Sequence, residues 1–274
     1  MTMAATEGKT PRERYRAQVR EEIKERAWEQ IGTAGASALS LNAIAKQMGM
    51  SGPALYRYFA GRDELITELV RDAYRSLADA FRAAPARAAA APDSGRQSGP
   101  APAPGPGPEP GPGPGAGHDT RGDGPDLPAL AHTLRRWALE DPQRYFLVYG
   151  TPVPGYRAPE DTTAIASEIM AVLLDACAAL PPADAATPAE ADLDVHVEAH
   201  RQWAGGHPAP ATALRRALTV WTRLHGVLSL ELAGHFTGMG FDPERLFAAE
   251  VAALTSTAEI PPADVSEPGG AFRH

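Results

Sequence analysis

A proline- and glycine-rich run divides this chain into two parts and limits what it can fold into. Residues 85–125 include 11 Pro and 10 Gly, with Pro alternating with Ala or Gly from Pro100 onward. Proline removes backbone donors and glycine raises the entropy lost on ordering, so this composition favours neither helix nor strand. We predict a disordered tether over 85–125 and a disordered tail over 261–274. The alternative for the tether is a proline-rich recognition site for a partner protein.

On both sides of this run the apolar residues recur with the period of an α-helix. Val19, Ile23, Ala27 and Ile31 are spaced four apart and would form one stripe along a first helix. Further helices are predicted at about 42–48, 52–59, 65–77, 127–139, 143–149, 165–176, 189–204, 212–237 and 243–257. Because no segment shows the alternation of a strand, the predicted fold class is all-α, with folded domains at 1–84 and 126–260.

Charge and cysteine content narrow the possible partners and compartment. The formal net charge is −8, yet residues 1–84 carry 13 Lys and Arg against 11 Asp and Glu. A polyanion such as nucleic acid would therefore be tolerated by the N-terminal part alone. Cys177 is the single cysteine, which excludes an intrachain disulfide and favours a reducing, cytoplasmic compartment. We expect Cys177 itself to lie in the hydrophobic core. No apolar stretch is long enough to predict a membrane span.

The strongest local signal lies between residues 40 and 59, where two short helices are predicted to meet at Gly49. Glycine can adopt the left-handed backbone of a tight turn between helices. Ser40 and Ser51 are placed to cap the two helices, and Pro53 falls in a first turn. The residues predicted to lock the helices together are Ile44, Ala45, Met48, Leu55 and Phe59. This is the pattern of a helix-turn-helix, whose second helix enters the major groove of DNA.

The run from Ser40 to Leu65, with its aromatic residues and the Arg62-Asp-Glu-Leu segment, resembles the DNA-binding head of TetR/AcrR regulators. The resemblance implies a double-stranded DNA operator as partner. It implies phosphate contacts from Ser40, Tyr56, Tyr58 and Arg62, and base contacts from Asn42, Gly52, Pro53, Ala54 and Arg57. The helix-turn-helix pattern also places Ser51 on this outer, DNA-facing surface. Tyr58 departs from the family, which often has histidine there.

Other roles remain open for several of these residues. Phe59 is expected in the core, and Tyr56 and Tyr58 are either core aromatics or phosphate contacts. Arg62 is alternatively a solvated charge. Four arginines at the N-terminus either add phosphate contacts or form a solvated helix face: Arg12, Arg14, Arg16 and Arg20.

In the C-terminal part, residues 141–156 and the segment Trp221–Gly226 resemble the body of TetR regulators named for a Trp-His-Gly motif. The family usually joins head and body by a short loop where this chain has its Pro/Gly-rich run. We therefore expect a signal to pass through packing of the fourth helix against 143–149. The resemblance implies a helical bundle that binds a ligand and dimerises.

A bundle of these helices would bring apolar and aromatic side chains around a cavity, the usual setting of a small-molecule site. The predicted ligand pocket comprises Trp137, Phe146, Tyr149, Trp221, Leu224, His225 and Leu228. His225 and Tyr149 would supply its polar groups. The alternative is that all seven are core, with His225 hydrogen-bonded to a carbonyl.

The last two helices are apolar on several faces and are predicted to form a homodimer through a four-helix interface. The residues with surplus apolar faces are Leu228, Leu232, Phe236, Leu246, Val251 and Leu254. The alternative is that these faces are buried within one chain.

The sequence gives little support for metal binding or catalysis. His196 and His200 have helical metal-ligand spacing, but they lack a His-Glu-x-x-His pattern and cysteine ligands. No catalytic residue, metal or cofactor is predicted. The favoured function is a repressor released from a pseudo-palindromic operator by a small apolar effector. A regulator switched by a protein partner is the alternative, and an enzyme with a borrowed DNA-binding head is the third reading.

Overall fold

The computed structural model describes residues 10–84, 126–157, 159–181 and 186–256. The predicted tether at 85–125 and tail at 261–274 lie outside these ranges. Every regular element within them is helical, which confirms the all-α fold class. No helix of the described residues is long and apolar enough to cross a membrane.

Four helices form the N-terminal head. They are α1 (Pro11–Ala34), α2 (Leu41–Gln47), α3 (Gly52–Leu55) and α4 (Arg62–Arg82). Thr10 and Glu13 form a capping box that starts α1, and Gly35, with φ 78°, ends it. The predicted stripe from Val19 to Ile31 is buried against the other three helices. α3 is shorter than predicted, because residues 56–58 continue as turns rather than as helix.

Six helices form the C-terminal body. They are α5 (Leu127–Glu140), α6 (Pro142–Tyr149), α7 (Glu160–Ala178), α8 (Pro188–Ala199), α9 (Ala211–Leu232) and α10 (Pro243–Thr255). α8 ends earlier than predicted because the chain continues as a 3-10 turn over Arg201–Ala204. α9 ends earlier because a turn follows it, with Gly234 at φ 78°. Cys177 is buried in the body core, as predicted.

α4 belongs to both parts of the molecule. Leu65 and Leu69 lie in the head core, whereas Leu77 and Phe81 lie in the body core. Tyr74, between these pairs, packs against both cores. The predicted domain boundary at residue 84 follows the end of α4. The division between the two hydrophobic cores lies instead within α4 itself.

Candidate nucleic-acid interface and ligand site

The turn between α2 and α3 has the geometry expected of a helix-turn-helix. Ser40 caps α2 by accepting a hydrogen bond from the backbone N–H of Ala43, and Gly49 has φ 65°. Leu55 and Phe59 are fully buried, and they hold α3 against the head core. Ser51 makes no side-chain cap to α3, so that part of the prediction is wrong. The reason is that α3 spans a single turn that its backbone bonds already close.

The predicted DNA-facing residues lie on the outer side of this motif, with different degrees of exposure. The Oδ1 atom of Asn42 lies 3.5 Å from the position that a Cβ on Gly52 would take, so α2 meets the start of α3 there. The exposed residues are Asn42, Ser51, Pro53, Tyr56 and Arg57, and the half-buried ones are Ser40, Gly52, Ala54, Tyr58 and Arg62. Tyr56 keeps 48% of its surface exposed, although its neighbour Leu55 keeps none.

Arg62 makes an intrachain contact that the sequence analysis did not anticipate. Its Nη2 donates hydrogen bonds to the backbone oxygens of Ala36 and Ser37, at 2.8 and 3.3 Å. These carbonyls belong to the turn that joins α1 to α2. Arg62 therefore fixes this turn to the start of α4, and its phosphate contact stays a prediction.

Arg16 and Arg20 hold the turn that follows α3, a role that neither interpretation of the N-terminal arginines included. Arg16 donates to the backbone oxygen of Arg57 at 3.0 Å, and Arg20 donates to that of Tyr58. The Arg20 guanidinium also lies over the Phe59 ring, 4.2 Å from its centroid. Carbonyls at a helix end lack intrahelical partners, so these arginines satisfy groups that would otherwise need water. The four-residue spacing of Arg16 and Arg20 was the available signal, but a solvated helix face has the same spacing.

In the body, Tyr149 is the centre of an aromatic cluster, defined here as Tyr145, Phe146, Tyr149, Trp221 and His225. The ring of Tyr149 lies 4.4 Å from His225 and 5.5 Å from both Trp221 and Tyr145, between centroids. Trp221 and His225 are 4.1 Å apart. The helices α6 and α9 thus bring four of the seven predicted pocket residues together.

Tyr145 is the member of this cluster that the sequence analysis missed. It is fully buried, and its hydroxyl lies 2.9 Å from both the Nδ1 of His225 and the Oγ of Ser229. The signal was present, because Tyr145 and Tyr149 are one helical turn apart on the predicted aromatic helix. Nothing in the sequence indicated which of the two would face the histidine.

His225 is a neutral imidazole at physiological pH. Burial lowers its pKa to about 4, because the charged form would lose its hydration. Its Nε2 is buried and has no hydrogen-bond partner within the described ranges. Burial also raises the pKa of Tyr149 well above its usual value. The aromatic cluster is therefore uncharged and contains one buried ring nitrogen that lacks a partner among the described residues.

The remaining predicted pocket residues serve the core. Leu224 and Leu228 are buried on α9, and Trp137 is buried on α5. The Nε1 of Trp137 donates to the Oγ of Ser76 at 3.1 Å, which ties α5 to α4.

Head and body are joined by direct contacts of α4 with α6 and with the loop that follows α6. The rings of Tyr74 and Tyr149 meet edge to face, with centroids 6.1 Å apart. Val153 is buried in the head core, and the Tyr156 hydroxyl lies 3.1 Å from the Thr67 Oγ1. We call residues 150–157 the hook. The expected contact between the fourth helix and 143–149 is present, and the hook is an additional link.

Comparison with known proteins identifies the family to which this chain belongs. A model of the bacterial regulatory proteins of the tetR family matches residues 23–69, and a tetracyclin repressor-like C-terminal domain matches residues 127–254. The HTH-type transcriptional regulators Rv1816 of Mycobacterium tuberculosis and Mb1846 of Mycobacterium bovis are each 33% identical over 253 residues, which cover 88% of this chain and 92% of theirs. The chain belongs to the TetR family. It is therefore a DNA-binding transcriptional regulator and not an enzyme.

Solved structures agree with this assignment. The crystal structure of the protein SCO4313 is 60% identical, with a TM-score of 0.68, and the match covers 89% of this chain and 98% of that one. A protein from Rhodococcus sp. RHA1 shares 17% identity with a TM-score of 0.53, over 92% of this chain and 97% of that one. The second likeness concerns the fold alone.

The outer face of the last two helices of this TetR-family chain consists largely of small residues. Leu228 and Val251, predicted for the dimer interface, are instead buried within the chain, because α9 and α10 pack on each other and on α5. The other four predicted interface residues are partly buried, and two of them, Leu232 and Leu254, pack against the body core. The exposed residues are Thr212, Thr219, Thr222, Arg223, Gly226 and Leu230 on α9, and Glu244, Arg245, Ala248, Ala249, Ala252 and Ala253 on α10.

The histidine pair on α8 shows no metal-binding geometry. The rings of His196 and His200 are stacked with centroids 4.4 Å apart, and the Nδ1 of His200 lies 2.9 Å from the backbone oxygen of His196. Among the described residues no group of three or more His, Cys, Asp or Glu is arranged to hold a metal ion.

Proposed function

We propose that this TetR-family regulator is a homodimeric repressor of a pseudo-palindromic operator, released by a small apolar effector that binds in the body. The observation that carries the proposal is the outer surface of α3 and of the turn that follows it. Tyr56 and Arg57 are exposed there while Leu55 and Phe59 are buried, so the helix is held firmly and offers its surface to a groove.

The aromatic cluster supports an uncharged effector. Its rings and the neutral His225 offer stacking surfaces and one unpaired ring nitrogen, and none of its five side chains is charged at neutral pH. A charged ligand would lack a counter-charge there. Because the cluster contacts α4 through Tyr149 and Tyr74, an effector that moves Tyr149 would act on the helix that enters the head.

The outward face of α9 and α10 supports the homodimer. Small side chains allow two helices to approach closely, and a two-fold dimer presents two heads to the two half-sites of a palindrome.

Selection of bound DNA from a random pool at two salt concentrations tests this function. We expect enrichment of an inverted repeat, with affinity falling as salt rises because phosphate contacts release counterions. Binding that depends on salt but not on sequence would contradict the proposal. An inverted repeat whose affinity changes with a protein partner, and with no apolar compound in a library, would favour the partner-switched regulator instead.

A further inference from the structure

A cavity of about 340 Å³ lies between head and body. Of the aromatic cluster, Phe146 alone lines it. Its head wall is the end of α1 and the turn that follows, including Ile31, Ala36 and Ser37. Its body wall is α6 and the first half of the hook, including Phe146 and Thr151. The volume is at the small end of the range for ligand sites, about 300–1,000 Å³.

The lining of this cavity selects for an uncharged molecule. No residue that lines it is ionisable, and much of the surface comes from apolar side chains such as Ile31 and Phe146. Its polar side chains are the amide of Gln143 and the hydroxyls of Ser37 and Thr151. None of these three makes a side-chain hydrogen bond within the described ranges. They are therefore available to a ligand that carries neutral hydrogen-bonding groups.

Both walls are mechanically connected to functional parts of the protein. The backbone oxygens of Ala36 and Ser37 accept the hydrogen bonds of Arg62, so the head wall is the turn that positions α2 against α4. On the body wall, the ring of Phe146 lies 5.6 Å from that of Tyr145, which bonds to His225. A molecule between the walls would contact the support of the helix-turn-helix and the aromatic cluster together.

We propose that this cavity is a second ligand site, which takes a neutral, mainly apolar molecule with an amide- or hydroxyl-compatible group, and that its occupation changes operator affinity. The claim that a ligand binds here depends on the cavity alone. The claim that this ligand changes operator affinity rests on the proposed function.

The first experiment measures binding with N-phenyl-1-naphthylamine, a neutral dye that brightens in apolar sites, on the full chain without DNA. Thr151→Cys, labelled with N-phenylmaleimide, places a phenyl group at the cavity. Cys177 will not compete, because burial raises its pKa to about 12. The matched control is the same label on Thr163→Cys, an exposed threonine of α7 that does not line the cavity.

We expect saturation binding of the dye to the unlabelled protein to include one site per chain that the labelled Thr151→Cys protein lacks. Labelled Thr163→Cys should keep this site, whether or not the dye also binds at the aromatic cluster. Ser37→Cys, labelled in the same way from the opposite wall, should repeat the loss. A dye stoichiometry that is the same before and after both cavity labels would overturn the site.

The second experiment measures operator affinity of the labelled proteins. We expect labelled Thr151→Cys to differ from labelled Thr163→Cys by at least about fivefold, the lower end of usual allosteric coupling. Equal affinities, with the dye results as expected, would leave a ligand site and overturn its coupling to DNA. Failure to find any operator would instead count against the proposed function, since the dye experiment uses no DNA.

Discussion

The arginines of the head divide between contacts within the chain and contacts available to DNA. Arg16, Arg20 and Arg62 all donate to backbone carbonyls around the helix-turn-helix. Arg57 is exposed at the end of α3. Two substitutions that remove the same charge should therefore have different consequences.

Arg62→Ala should lower the free energy of unfolding by about 1–3 kcal/mol, because it removes charged hydrogen bonds to two carbonyls of the α1–α2 turn. Denaturant unfolding measures this change. Arg57→Ala is the control, and its stability should stay within about 0.5 kcal/mol of the unmodified protein. Arg57→Ala should instead relax discrimination at one base pair of the operator. Equal stability of the two variants would contradict the structural role of Arg62.

His225 should make stability depend on pH. Its pKa is about 4 in the folded chain and near ~6.5 when unfolded. Between these values the unfolded chain binds a proton that the folded chain does not, so stability falls as pH falls. From about pH 7 to about pH 5 the loss should be roughly 2 kcal/mol. Urea unfolding of the unmodified protein and of His225→Phe should show this difference, and equal pH slopes would mean that folding does not lower the pKa of His225.

Residue burial could be predicted from the sequence, but polar partners could not. The period of Val19, Ile23 and Ile31 identifies one buried face, and all three are buried. The bond from Arg62 to the Ala36 carbonyl joins groups 26 positions apart. Such a bond leaves no periodic trace, because any residue at position 36 offers the same carbonyl.

At the scale of helices, α4 and the hook form one connection between head and body. α4 contributes to both cores, and the hook places Val153 in the head core. Helical periodicity predicted α4 and α6, and the contact between them was expected from the family resemblance. The hook could not be predicted, since its Pro and Gly residues indicate a turn without indicating which surface the turn contacts.

Gly150→Ala should disturb this connection. A Cβ at position 150 would lie 2.5 Å from the backbone oxygen of Phe146, so the end of α6 and the hook must shift. We expect a loss of about 1–3 kcal/mol in unfolding free energy. Gly32→Ala is the control, because its Cβ would meet nothing within 4 Å on α1. Alanine there should stabilise the helix by up to about 1 kcal/mol. A neutral Gly150→Ala would show that the hook adapts without cost.

For the whole molecule, the sequence predicts that the last two helices dimerise, but two of the residues predicted for the interface lie inside the chain. Periodicity shows that Leu228 and Val251 need burial, and it cannot distinguish burial within a chain from burial between chains. The structure places both within the chain. The exposed face of α10 consists mainly of alanines. Because alanine is common throughout this sequence, these residues do not stand out as an interface.

Ala249→Arg should separate the homodimer. Ala249 is exposed on α10, and a two-fold axis across this face would bring two arginines close together, where like charges and added bulk oppose association. Light scattering should show a monomer, and operator affinity should fall by roughly 100-fold or more, because each head then binds its half-site without the other. Ala191→Arg, on the exposed side of α8, adds the same side chain away from this face and should remain dimeric. A dimer that survives Ala249→Arg and dissociates with Ala191→Arg would place the interface on α8 instead.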